Sequence, residues 1–105
     1  MKEASAAVKA ALTQALALKA KWDTARTEVA DVNTRIATIE RDQDRLRKNL
    51  KETPKEAPVF QEYIRKLGEQ EKEMNDLSAR LKDLQKGEAG YKAVYEKFLR
   101  DLNVS

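Results

Sequence analysis

The sequence predicts an all-α protein, a long two-helix antiparallel coiled-coil hairpin. Three observations carry this. Ala, Glu, Lys, Leu and Arg supply 58 of the 105 residues, a share above the roughly one-half typical of coiled coils and long helices. Apolar residues recur at alternating spacings of three and four along nearly the whole chain. Both prolines fall in one short run near the middle, Glu52-Thr53-Pro54-Lys55-Glu56-Ala57-Pro58, which divides the periodic pattern into two near-equal halves.

The first predicted helix covers residues 2–51. Its apolar stripe runs Ala4, Val8, Ala11, Ala15, Leu18, Trp22, Ala25, Val29, Val32, Ile36, Ile39, Gln43, Leu46 and Leu50, with Gln43 the one polar member. A mean spacing of 3.5 residues sustained over six heptads specifies a left-handed coiled coil. Ala10–Leu18 has the apolar character of a short signal-peptide core. Thr13 and Gln14 interrupt it, however, and the stripe runs straight through, so it reads as helix. The turn is placed at 52–57. Proline removes a backbone donor and disfavours helix in the residue before it. Pro58 suits the first turn of the next helix. Thr53 and Glu56 also spell a capping box that would start that helix earlier.

The second predicted helix covers 58–102. Its stripe runs Phe60, Tyr63, Leu67, Gln70, Met74, Leu77, Leu81, Leu84, Glu88, Tyr91, Tyr95, Phe98 and Leu102. Glu88, close to Gly87 and Gly90, suggests a bend or local unwinding, because internal glycine weakens a helix. Helices of similar length joined by a short turn fold back on each other. Each helix then buries one stripe, which leaves open the pairing of two hairpins into a four-helix bundle.

Two registers compete. If facing residues sum to 113, Leu46 meets Leu67, Gln43 meets Gln70, Trp22 meets Tyr91 and Leu18 meets Tyr95. The two glutamines then satisfy each other as a buried polar layer, and Gly87 and Gly90 make room for the indole. If they sum to 106, the charges flanking the stripe match better: Arg35 meets Glu73, Asp42 meets Lys66 and Glu28 meets Arg80. A stranded buried polar group costs about 1–3 kcal/mol, whereas an exposed ion pair contributes about 0–1 kcal/mol. The 113 register is therefore preferred.

Composition narrows the function classes. There is no His and no Cys. That removes disulfides, Cys/His zinc sites, thiol catalysis and histidine acid-base chemistry. No phosphate loop or nucleophile elbow is present. Asp42 and Asp44 stand two apart, as do successive members of Glu69, Glu71 and Glu73, a spacing that does not share a helix face, and Lys or Arg stand nearby. The chain therefore reads as non-enzymatic, with no cofactor and no metal. No stretch is long and apolar enough to span a membrane and no export signal stands out, so a soluble chain is expected. Lys and Arg total 21 against 18 Asp and Glu, a net charge of +3. The densest basic run is Arg41, Arg45, Arg47, Lys48 and Lys51, and Asp42 and Asp44 break it up.

The segment Asp42-Gln43-Asp44-Arg45-Leu46-Arg47-Lys48-Asn49-Leu50, followed by Tyr63, Lys66-Leu67 and Gln70-Glu71, resembles the helical hairpin of bacterial mucoidy-inhibitor-A-like proteins. The resemblance covers roughly Ile36 to Leu84. It implies a hairpin arm within a longer bacterial protein and carries no catalytic residues.

The expected role is structural: a spacer, docking arm or oligomerisation element. The alternative is a nucleic-acid-binding hairpin that uses Arg45, Arg47, Lys48, Lys51 and Lys55 near the turn. A third reading is an adaptor that grips clients between its helices. The expected protein interface lies at the open end, where Leu12, Leu16, Val94 and Leu99 stand off the seam and Ala6, Ala7, Ala10, Ala17 and Ala20 widen the apolar face. Near the turn only Val59 and Ile64 compare. The register generates the first test. The double variant Gln43→Cys/Gln70→Cys is expected to oxidise to an intramolecular disulfide, seen as a mobility shift on non-reducing gels. Cross-linking of Ile36→Cys/Gln70→Cys in its place would establish the 106 register.

Overall fold

The computed structural model describes residues 5–102. It is an all-α helical hairpin of two helices, α1 (Ala6–Glu52, 47 residues) and α2 (Pro58–Asp101, 44 residues), with no strand among the described residues. The expected boundaries hold to within a residue at the turn and at the end of α2. The expected start of the first helix, residues 2–4, lies outside the described residues.

Local chemistry sets the ends. Ser5 caps α1: the Val8 amide donates to Ser5 Oγ at 3.1 Å and the Lys9 amide to the Ser5 carbonyl at 3.0 Å. Such a cap contributes about 1 kcal/mol. At the other end of α1 the Thr53 hydroxyl donates to the Asn49 carbonyl at 2.6 Å and the Thr53 amide to the Leu50 carbonyl at 3.2 Å. Thr53 thus closes the first helix instead of opening the second, and the capping box with Glu56 is not used. The Ala57 amide donates to the Pro54 carbonyl, and α2 begins at Pro58, where no amide hydrogen is needed. The described backbone reverses direction without a positive φ, so the turn needs no glycine. Lys51 and Arg100 stand in the last turns of their helices, where cations complement the helix dipole.

The chain divides into two compact units. An end unit comprises the described residues up to 29 and from 83 onward, and a turn unit comprises Ala30–Lys82. Each holds one segment of each helix. In the turn unit the buried residues are Val32, Ile39, Gln43 and Leu46; in the end unit they are Ala15 and Ala25. All six are stripe residues of α1, whereas no residue of α2 is fully buried. The larger stripe residues of α2, such as Met74, Leu77, Tyr95 and Phe98, are only partly buried. A two-helix layer cannot enclose its larger side chains from every direction.

Helix α2 runs unbroken through Gly87, Glu88 and Gly90, so the expected local unwinding is absent. These glycines do not make room for the indole either. A methyl group built on Gly68, Gly87 or Gly90 would meet nothing within 4 Å. At such exposed helical positions glycine loses backbone entropy relative to alanine and gains no contact. Gly68→Ala is therefore expected to raise unfolding stability by about 0.5–1 kcal/mol, read as a higher urea midpoint with unchanged m. A lower midpoint would show that Gly68 relieves a contact that the folded chain makes there.

Candidate functional site

In the turn unit two separate hydrogen-bonded sets of charged and polar side chains link the helices. Arg35 donates two hydrogen bonds to the Glu73 carboxylate, Nε to Oε2 at 2.8 Å and Nη2 to Oε1 at 3.0 Å. Arg45 Nε donates to Asp42 Oδ1 at 2.9 Å, and Gln70 Nε2 donates to Asp42 Oδ2 at 2.5 Å. Arg35, Ile39, Asp42, Arg45 and Gln70 line an open groove of about 380 Å³. Both carboxyls are held below their ordinary values. For Glu73 the cause is the Arg35 hydrogen bonds; for Asp42 it is first Arg45, then Gln70.

The expected mutual pairing of Gln43 and Gln70 does not form. Gln43 is buried, but the Gln70 amide goes to Asp42, and Gln70 Oε1 is buried without a partner. A carboxylate is a stronger acceptor than an amide carbonyl, so Asp42 captures the donor. Gln70 nevertheless lies at the level of Asp42 and Gln43. In the 106 register it would stand opposite Ile36, six residues or about 9 Å from Asp42 along the axis. The Arg35–Glu73 pair, expected only of the 106 register, forms all the same. A long guanidinium arm spans the offset.

In the end unit the aromatic cluster also differs from expectation. Trp22 packs against Tyr95, with ring centroids 5.8 Å apart and planes inclined at 39°. Tyr91, the expected partner, is 44% exposed. Helical side chains lean toward their own N-terminus. In antiparallel helices Trp22 and Tyr95 therefore lean toward each other, and a pairing by backbone level alone misplaces both. The Arg26 guanidinium lies 4.4 Å from the indole centroid and Lys92 Nζ 5.9 Å from it, within cation–π range. Lys19 Nζ bonds Asp23 at 3.0 Å and Arg26 also pairs with Asp23. Hydrogen bonds from Lys19 and then Arg26 keep the Asp23 carboxyl below its ordinary value. Trp22 Nε1 is buried and unpartnered.

The expected interface residues are all exposed: Leu12 by 55%, Leu16 by 70%, Val94 by 52% and Leu99 by 43%. They do not form one patch. Val94 and Leu99 are five residues apart, which turns them about 140° from each other around α2. Val94 lines a groove with Gln14, Leu18 and Phe98. Leu12 and Leu16, four apart, share one face of α1, and Leu12 and Leu99 each follow a stripe residue, which places them on the flank where Arg26 and Lys92 stack on Trp22. On the opposite flank Lys21, Thr24, Glu28, Gly87 and Tyr91 line a second groove of about 440 Å³. The spacing of the stripe identifies Leu12 and Leu16 in the sequence. The glycine-floored groove escapes that reading, because the stripe treats Tyr91 as core.

Near the turn, Arg45 is paired with Asp42 at 2.8 Å and Arg47 with Asp44 at 3.6 Å. Among the described residues no group of three or more carboxylates gathers as a metal site would, and no helix is long and apolar enough to cross a membrane. Comparison with protein-family models, curated proteins and solved structures finds no match.

The ion-pair geometry gives a pH prediction. Glu73 is depressed below its ordinary value of 4.5. Between its folded and unfolded values the unfolded chain binds more protons, so stability is complete above the unfolded value and falls as pH drops through the folded one. Urea unfolding from pH 7 to pH 2 is expected to show a loss that begins below about 4.5. Arg35→Met should flatten part of this acid limb. An unchanged limb in the variant would mean that the pair makes no contribution in solution.

Proposed function

We propose that this chain is a non-enzymatic coiled-coil module for protein assembly, a spacer, docking arm or oligomerisation element that makes its contacts through the end unit. The observation that carries this reading is the concentration there of exposed large apolar side chains. Leu12, Leu16, Tyr91, Val94 and Leu99 all belong to that unit, against Val59 and Ile64 in the turn unit. Scattered exposed leucines are ordinary on a protein surface. Leu12 and Leu16 on one face, beside a cation–aromatic cluster, match the apolar core and polar rim of interfaces.

Nucleic-acid binding has less support. A nucleic-acid surface presents unpaired cations to phosphates. Arg45 and Arg47 are each engaged by an aspartate one turn away, which leaves Lys48, Lys51 and Lys55 as the remaining cations of that group. The resemblance of Ile36–Leu84 to the hairpin of mucoidy-inhibitor-A-like proteins fits the same proposal, since an arm of that kind needs rigidity and contact surfaces rather than a reactive centre.

Light scattering across a concentration series tests the proposal. Leu12→Lys/Leu16→Lys is expected to lower the apparent mass of an associating wild type, or to abolish binding of its partner, in a protein that stays folded. Circular dichroism would check that helix content is kept. Retention of association in the variant would remove this leucine face from the interface. Binding to RNA or DNA that weakens steeply with salt would favour the nucleic-acid reading.

A further inference from the structure

The groove formed by Lys21, Thr24, Glu28, Gly87 and Tyr91 is not explained by the packing of one hairpin. Tyr91 occupies a stripe position yet is 44% exposed. Gly87, which lines the groove, and Gly90, one turn further along α2, have open space where side chains would stand. We infer that a second copy of this chain docks on this groove, related by a two-fold axis that crosses the hairpin near Thr24, so that the two hairpins form an antiparallel four-helix assembly. This inference rests on the proposed role in assembly, but it uses the flank opposite Leu12, Leu16 and Leu99.

Charge placement selects a second copy as the occupant. Lys21 and Glu28 line the same edge of the groove, two turns apart, and both are exposed. Midway between them lies Thr24–Ala25. A two-fold axis at that level lays α1 antiparallel against α1 of the second copy. Lys21 of each chain then faces Glu28 of the other, and the pair is made twice. An isologous contact needs this self-complementarity, a surface that matches itself after rotation. A uniformly charged edge would repel its own copy.

The same axis accounts for the glycines. In the 113 register, Thr24–Ala25 stands level with the stretch between Gly87 and Gly90. The rotation therefore sets Gly87 of one α2 against Gly90 of the other. Backbones without Cβ atoms can approach closely there. Tyr91 leans toward its own N-terminus and enters the second copy's groove beside Gly87, where the structure leaves about 440 Å³ open. The exposed tyrosine is the knob, and the glycine-floored groove is the hole.

Charge exchange tests this by sedimentation equilibrium on the full chain. Lys21→Glu and Glu28→Lys should each raise the dimer Kd by about tenfold or more. The double exchange Lys21→Glu/Glu28→Lys should restore it to near the wild-type value. Circular dichroism on every variant establishes that the hairpin still folds. The chain has no cysteine, so single-cysteine variants report proximity cleanly. Thr24→Cys, close to the axis, is expected to form a disulfide-linked dimer on mild oxidation, and Leu16→Cys on the other flank is not. A wild type that stays monomeric at high concentration would overturn the inference. So would single exchanges that leave the dimer Kd unchanged. If the dimer survives the exchanges but dissociates in Leu12→Lys/Leu16→Lys, assembly stands and this groove is excluded.

Discussion

One apolar stripe per helix holds each unit of this hairpin together, and the surface that each unit presents depends on how unequal the two stripes are. That of α1 is built of alanine, valine and isoleucine through most of its length, and every buried residue among those described lies on it. That of α2 carries leucine, methionine and aromatics, and none is fully buried. Large side chains over small ones keep packing dense along the contact. The larger side chains keep one edge in water, because no third layer covers them. The pattern supplies the driving force for folding and also leaves apolar surface on α2.

The order of the elements was legible because its determinants are local. The 3-4 spacing of the stripes gives two helices, and two prolines in five residues give the break. Both follow from backbone sterics and from burial of a single face. The side-chain pairings were less legible, since each depends on direction as well as level. Trp22 takes Tyr95 and not Tyr91 because both rings lean toward their own N-termini. Gln70 takes Asp42 and not Gln43 because a carboxylate outcompetes an amide as acceptor. Thr53 closes α1 instead of capping α2, because its hydroxyl reaches a carbonyl four residues back while α2 begins five residues ahead.

The turn unit shows how polar groups at the edge of a stripe find partners. Asp42 accepts from an arginine on its own helix and from a glutamine on the other. Arg35 joins the two helices through Glu73. Such pairs are exposed and contribute little to stability one by one. The Asp42–Gln70 contact acts on register, since a slip of one heptad to the 106 register would separate Gln70 from Asp42 by about 9 Å of axial rise and strand its amide. Apolar stripe residues alone discriminate poorly between neighbouring registers, because a heptad shift returns leucine to leucine. Polar contacts of fixed partner do not have that degeneracy.

The end unit uses its polar groups differently. On one flank Lys19, Asp23 and Arg26 are tied to each other and Arg26 lies over Trp22, so the charges cover the indole and are spent within the chain. On the other flank glycine replaces side chains at Gly87 and Gly90, and the groove between the helices stays open. Isolated hairpin stability would favour alanine at both positions, because glycine in a helix interior loses about 0.5–1 kcal/mol relative to alanine. Gly68 carries the same cost, so what sets Gly87 and Gly90 apart is their place, flanking a seam carboxylate beside an exposed tyrosine at an open groove. Local departures of this kind mark positions where a sequence answers to something outside the chain's own packing, and the close approach of a second backbone to α2 is a demand that glycine meets.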